Sequence, residues 1–310
     1  MTWRAWAAFT ALCVIWGLPY FLIKLALQDL SPAVIAWGRI AVGAAVLLPL
    51  AWKRGLIRPV LAHKGTICAF ALAELVVPFV AIALGERWIS SSLAGILIAT
   101  VPMTVIVLSP LFGIKEKLSG KRIAGLAVGF IGVVTLLGLD TVSGTLQWLG
   151  VGCMAIATVG YAAGPLLVQR HLSDVDELGA IAVSLGVATI MLLPAAIVSA
   201  PTTMPSVQSL ISIAVLGVVC TALAMSLYFY LIVAAGAARA SVVAYINPAV
   251  AALLGVLVLQ EHFGVGSMLG LILILFGSWL ATGGARKSAA GHGVAADAGA
   301  GRRRASDAGH

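Results

Sequence analysis

Along this chain the apolar positions follow neither the alternation of a half-buried strand nor the single stripe of a soluble helix. Long runs are apolar all round, and polar residues come in short clumps between them, such as "AWKRGLIRPVLAHKG" and "GIKEKLSGKR". A helix that crosses a bilayer needs roughly 20 residues. Cut at its charges, its Pro/Gly clusters and its polar breaks, the sequence gives ten segments of that size, at about 4–26, 32–52, 65–84, 88–112, 120–138, 146–169, 178–199, 208–232, 238–259 and 265–284. None alternates like a barrel strand. The pattern predicts an all-α integral membrane protein of ten transmembrane helices. The first run, from about Trp3, has no short apolar core followed by a small-residue cleavage site, and is read as a retained span. Residues 285–310, rich in Ala, Gly and charge, are expected to form a disordered cytoplasmic tail.

Composition narrows the class further. Of 310 residues, 61% are hydrophobic and 10% charged, and the mean hydropathy is +1.10. A soluble domain carries about 25% charged residues and has no means of burying so much apolar surface. The basic residues report orientation, because Lys and Arg concentrate in cytoplasmic loops. With the N-terminus inside, 16 of the 19 Lys and Arg fall on the cytoplasmic side, leaving Lys24, Arg39 and Arg87 toward the outside. Both termini are therefore expected in the cytoplasm. The net charge of +8 belongs to this asymmetry and to the anionic lipid surface, and no nucleic-acid partner is needed to explain it. Cys13, Cys68, Cys153 and Cys220 all lie inside apolar runs without metal-ligand spacing, so they read as small hydrophobes.

Shifted by 145 or 146 positions, the chain matches itself. Pro19 meets Pro165, "LLPL" at 47–50 meets "LLPA" at 192–195, Pro102 meets Pro248, and Lys24 meets the basic Arg170. Glu116 meets Glu261, Gly125 meets Gly270, and Gly132 meets Gly277. Two units are expected, residues 1–140 and 141–284, of five spans each. An odd number of spans turns the second unit upside down, which is the inverted-repeat plan of many secondary transporters, whose solute site lies between the halves near the midplane. On that plan Lys24 and Arg170 mark opposite ends of the cavity.

These features carry a resemblance. "WGLPYFLIK" in the first span, "SPAVIAWGRIAVG" opening the second, the Pro-containing fourth and ninth spans each followed by a glutamate (Glu116, Glu261), and the Gly-spaced last span of each half resemble the EamA family. That family lies within the drug/metabolite transporter superfamily, and the resemblance covers about residues 5–284. It implies a multi-pass protein of the bacterial inner membrane that exports small metabolites, often amino acids. In kind the chain is similar to the aromatic amino acid exporter subgroup.

Ionisable side chains within a span are costly and are expected to face an interior cavity. Glu74, in "ALAELVVPFV", is the only acid near the middle of any expected span. Two roles suit it: taking up and releasing a proton during a transport cycle, or pairing with the ammonium group of an amino acid. The bland alternative is a carboxyl held protonated or hydrogen-bonded between helices, with no role in turnover. Trp16, Tyr20 and Lys24 recur at helical spacing and share one face of the first span beside Pro19, a wall suited to an aromatic or zwitterionic solute. The alternative for them is anchorage at the outer interface. Arg39 in the second span reads as a site cation or as a structural clamp. Tyr245 and Asn247 precede Pro248 in the ninth span, Pro102 stands at the matching place in the fourth, and such paired breaks point to a transporter's site. Tyr161 and the Tyr228–Phe229–Tyr230 run are further lining candidates.

Other functions have less to stand on. His63, His171, His262, His292 and His310 fall in loops, near span ends or in the tail, and no nucleophile elbow, metal-spaced acid pair or phosphate-cradling loop occurs. No enzyme, cofactor or metal is expected. Phosphorylated solutes, such as sugar-nucleotides, would call for several cavity cations, of which Lys24 and Arg39 are the only clear ones. A channel would need rings of like groups from several protomers. The expectation is a secondary transporter for a small solute, driven by the solute gradient or by protons.

Overall fold

Inside hydrocarbon a backbone amide finds no water, so each apolar segment must close its hydrogen bonds on itself as a helix. The computed structural model describes residues 1–114, 119–139, 144–172, 175–236, 240 and 242–282. Over these, every expected segment is helical. Spans 1 to 5 are Trp3–Ala26, Pro32–Lys53, Lys64–Gly85, Ser91–Phe112 and Gly120–Leu139. Spans 6 to 10 are Thr145–His171, Glu177–Val198, Val207–Ala235, Val243–Leu257 and Val265–Thr282. Nine of them are long and apolar enough to cross a membrane, and span 9 is a shorter apolar helix of 15 residues. The expected tail and Glu116 lie outside the described residues.

Short polar residues start the helices. Thr2, Ser31, Ser90, Asp176 and Ser206 each accept a backbone N–H of the first turn through the side chain, satisfying an otherwise orphaned donor. Several of these caps also tie one link to another. Asp29, between spans 1 and 2, accepts from Ser206 N at 2.9 Å, from Ser209 Oγ at 2.7 Å and from the Ser206 hydroxyl. The serine hydrogen bonds hold its carboxyl below the usual carboxylate range, so their stabilisation is present above that range and lost as pH falls through the lowered value. On the opposite face Arg170 Nη1 donates to Phe112 O at 2.6 Å.

Three departures from regular helix matter for the site. Span 3 contains a π-helical turn at Ala71–Val76, and span 8 contains one at Val218–Leu223, 147 positions further on. In the second, Thr221 Oγ1 donates to Leu216 O at 2.9 Å and so occupies a carbonyl in the widened turn. Span 4 breaks between Ser91–Ile98 and Val101–Leu108, where Thr100 Oγ1 takes up Leu97 O at 2.6 Å. The expected partner break in span 9 is absent: the helix runs on through Pro248. A proline in the second turn of a helix removes a single ladder bond. The Asn247 amide, turned to donate, reaches Val243 O at 2.9 Å just beside the gap.

The spans pair across the two halves of the chain. Span 2 packs on span 7, span 4 on span 9, and span 5 on span 10. Span 1 lies against spans 8 and 9, and span 6 against spans 3 and 4. Spans 5 and 10 meet backbone to backbone: a Cβ added at Gly277 would stand 2.4 Å from Gly129 N, and one at Gly125 would stand 2.4 Å from Ala281 N. Their outer faces expose Phe130, Ile131, Ile272, Phe276 and Trp279, a surface suited to lipid rather than water. Close approach of this kind is what Gly-spaced helices permit.

The contact predicts a sharp contrast between two glycines. Gly277→Ala is expected to destabilise the protein by about 1–3 kcal/mol, since the clash is with backbone. Gly152→Ala, where an added Cβ meets nothing within 4 Å, is expected to be neutral or slightly stabilising. Thermal unfolding of the two variants in one detergent tests this; equal melting temperatures would contradict the close packing.

Candidate functional site

Between the paired spans lies a cavity of about 560 Å³, within the range of small-molecule sites. Its walls come from spans 1, 2, 3, 4, 6, 7, 8 and 9. Spans 5 and 10 contribute nothing to it among the described residues. The exposed members of the lining are Pro165, Gln169 and Glu177, toward the link between spans 6 and 7, and Ala244 in the first turn of span 9. At the other end the lining stops at the buried Ile23 and Ile82.

Glu74 lines the cavity from inside the π-helical turn of span 3. The extra residue of a π turn re-aims a side chain that regular helix would leave on another face. Span 6 makes room for that turn with two glycines one helical turn apart. A Cβ at Gly160 would stand 2.5 Å from Ala73 O, and one at Gly164 would stand 2.0 Å from Glu74 Oε2. The residue as a whole is half-buried, yet its Oε2 is enclosed and has no hydrogen-bond partner among the described residues. No hydrogen bond between helices holds this oxygen among the described residues.

Arg39 is 7% exposed and held on two sides. Its Nε donates to Thr221 Oγ1 at 3.1 Å, and its guanidinium carbon stands 3.9 Å from the ring centroid of Phe79. Thr221 sits in the π turn of span 8, the place in the second half that Glu74 occupies in the first. One irregular turn thus carries the cavity's acid, and the other carries the hydroxyl that holds its cation. A flat, fully charged group stacked on an aromatic ring is well oriented to receive a carboxylate.

Aromatic rings complete the walls. Trp16 and Tyr228 lie with centroids 5.1 Å apart, and Phe79 and Tyr161 lie 6.4 Å apart in an edge-on arrangement. Tyr20, Phe229 and Asn247 also line the cavity. Among the residues singled out from sequence, Trp16, Tyr20, Arg39, Glu74, Tyr161, Tyr228, Phe229 and Asn247 are thus brought together. Three are not. Tyr230 is exposed and lies outside the lining. Lys24 lies beyond the closed end, donating to Glu86 O at 2.6 Å and Ile89 O at 2.8 Å. Tyr245 turns toward span 10, where its hydroxyl pairs with Thr282. Tyr245 stands two residues before Asn247 in sequence, but two residues along a helix is about 200°, slightly more than a half-turn around it.

Sequence reasoning missed Phe79, Thr221, Gln169 and Glu177 as lining or supporting groups. A threonine alone in an apolar run was a signal for Thr221. Glu177, next to the Asp176 cap, reads in sequence as ordinary first-turn acid.

Relatives of this chain carry the names of transporters. The model of the EamA-like transporter family matches the chain twice, over residues 3–138 and 148–283. The "Uncharacterized inner membrane transporter YedA" of Escherichia coli is 29% identical over 278 residues, covering 89% of each chain. An "Uncharacterized transporter" of Archaeoglobus fulgidus is 25% identical, over 89% of this chain and 98% of its own. A solved structure described only as "Crystal structure of protein" superposes with a TM-score of 0.64 over 90% of this chain at 19% identity, a likeness of fold. With matches spanning nearly the whole of both halves, the chain belongs to the EamA-like transporter family.

Proposed function

We propose that this protein is a secondary transporter that exports small metabolites, amino acids above all and aromatic ones favoured, by alternating access. The observation that carries the reading is the cavity itself: one arginine and one unpartnered glutamate oxygen set among Trp16, Tyr20, Tyr161 and Tyr228. A zwitterion needs one group of each sign, and an aromatic side chain needs apolar walls with few polar atoms. Arg39 would receive the solute carboxylate, and Glu74 would face its ammonium group or carry a coupling proton. A single lining cation among the described residues suits a carboxylate better than a phosphorylated solute.

The proposed architecture is two inverted five-span units, residues 1–140 and 141–284, with both termini in the cytoplasm. Its support is the double family match, the π turns 147 positions apart and the exchange-symmetric pairing of the spans. In that orientation the exposed end at Gln169 and Glu177 faces the cytoplasm, so the structure corresponds to an inward-open state. Rocking of one half against the other would close this end and open the far one.

Purified protein in liposomes, loaded with labelled tryptophan or phenylalanine, tests the reading directly. Wild type is expected to release the label, and an imposed pH gradient is expected to change the rate. Glu74→Gln is expected to lose the effect of the gradient, by about tenfold or more at the steepest gradient. Release equal to that of empty-vector liposomes for every aromatic amino acid would contradict the substrate class. Arg39→Lys is expected to slow release by about tenfold, because an ammonium group has no plane to lay on Phe79. Initial rates at matched protein stability measure it; an unchanged rate would remove Arg39 from the site.

A further inference from the structure

The closed end of the cavity contains a second glutamate that the transport reading leaves unused. Glu86 follows the last residue of span 3 and is 0% exposed, and neither of its carboxyl oxygens has a hydrogen-bond partner among the described residues. Lys24 lies close by but spends its donors on backbone, on Glu86 O and Ile89 O. Glu261, in the link between spans 9 and 10, is fully engaged at the start of span 4. Its Oε1 accepts from Ser91 N at 2.7 Å, and its Oε2 accepts from Ser92 N at 2.9 Å and Ser92 Oγ at 2.7 Å. Gly255 of span 9 leaves the space for that carboxylate, since a Cβ there would stand 2.4 Å from Glu261 Oε2. These contacts fasten spans 1, 4 and 9 together directly beyond Ile23 and Ile82, where the cavity stops.

Around Glu86 the ionisable groups are Lys24 and Tyr20 from span 1, Glu261 from the link before span 10, and Cys153 from span 6, which packs against Gly85. Arg87, next in the chain, is exposed. Burial pushes the Glu86 carboxyl well above the ordinary carboxylate range; Lys24 pulls it back and Glu261 pushes it further up. A buried carboxylate with no donors is far costlier than a buried neutral acid. Lys24 and the first-turn amides of span 4, the donors at hand, are already taken by carbonyls and by Glu261.

We propose that Glu86 is a proton-binding site distinct from Glu74, and that its proton holds this end of the transporter shut. While spans 1, 4 and 9 are fastened, the carboxyl sits neutral in a dry pocket. When they part, water reaches it, the proton leaves to solvent and the carboxylate is hydrated. The closed arrangement therefore binds one more proton than the open one, so low pH favours closure and rising pH favours opening, by up to about tenfold per pH unit. Only the gating role rests on the alternating-access reading; the bound proton itself is independent of any substrate.

Two measurements that need no transported solute test it. In Glu74→Gln, infrared spectra of the protein in lipid at neutral pH are expected to keep the carbonyl stretch of a protonated carboxyl, and adding Glu86→Gln is expected to abolish it. Absence of that band, or its survival in the double variant, would overturn the site. For the latch, Ile82→Cys in a background lacking the four native cysteines is labelled in sealed vesicles with a membrane-impermeant thiol reagent added only on the face of Gln28, normalised to Gln28→Cys in an exposed link. The normalised rate is expected to rise at least tenfold between pH 6 and pH 8. With Glu86→Gln it is expected to stay flat, and with Lys24→Met to be high throughout. A pH-independent rate in the Glu86 parent would overturn the gating role and leave the substrate reading untouched.

Discussion

Everything in this molecule follows from the absence of water in the bilayer core. Backbone groups must find partners within the protein, and the α-helix is the arrangement that lets an isolated segment do so. Ten apolar segments therefore become ten helices, and deviations from helix are confined to places where protein or a polar cavity takes up the freed groups. The π turns at Ala71–Val76 and Val218–Leu223 and the break at Ala99–Thr100 all border the central cavity or support its polar groups. Regular helix surrounds them, and spans 5 and 10, which touch lipid and each other, are regular throughout their described length.

The same constraint decides where charge can go. A polar side chain in a span is tolerated only beside a partner or a wet space. Arg39 has both, with Thr221 on one side, Phe79 beneath it and the cavity in front. Glu74 has the cavity and the groove of Gly160 and Gly164, but no donor for its enclosed oxygen. Outside the spans, Asp29 and Glu261 act as caps that join separate links, so the ends of the helices are tied across the fold rather than one by one. Glu86 has no such partner, which is why it stands out among the acids.

Much of this was legible in the sequence, because membrane burial writes long runs that need no tertiary context to read. The span boundaries came from charges, Pro/Gly clusters and polar breaks, and the cavity acid from its isolation in an apolar run. Trp16 and Tyr20 were reached by helical spacing. What failed did so where side-chain direction, rather than position, decides. Lys24 shares a face with Trp16 and Tyr20, yet its long stem carries the ammonium group past the cavity to the carbonyls of the next link. Pro248 looked like the twin of Pro102, but one is absorbed within an intact helix and the other starts a new segment. The π turns left no mark of their own, since the same apolar residues serve regular helix equally well. Glu86 sat one residue beyond a span and passed for an ordinary loop acid.

The central claim is that the two halves enclose one cavity whose ends open alternately. Pairs of spin labels across each end measure this most directly: one pair joining Gln169 to span 2 or 3 at the open end, the other joining Gln28 to the link before span 10. On adding a transported solute, the account predicts that the first distance shortens and the second lengthens in the same population of molecules. Two distances that stay fixed, or that grow and shrink together, would contradict alternating access and leave the cavity a static pocket in a membrane bundle.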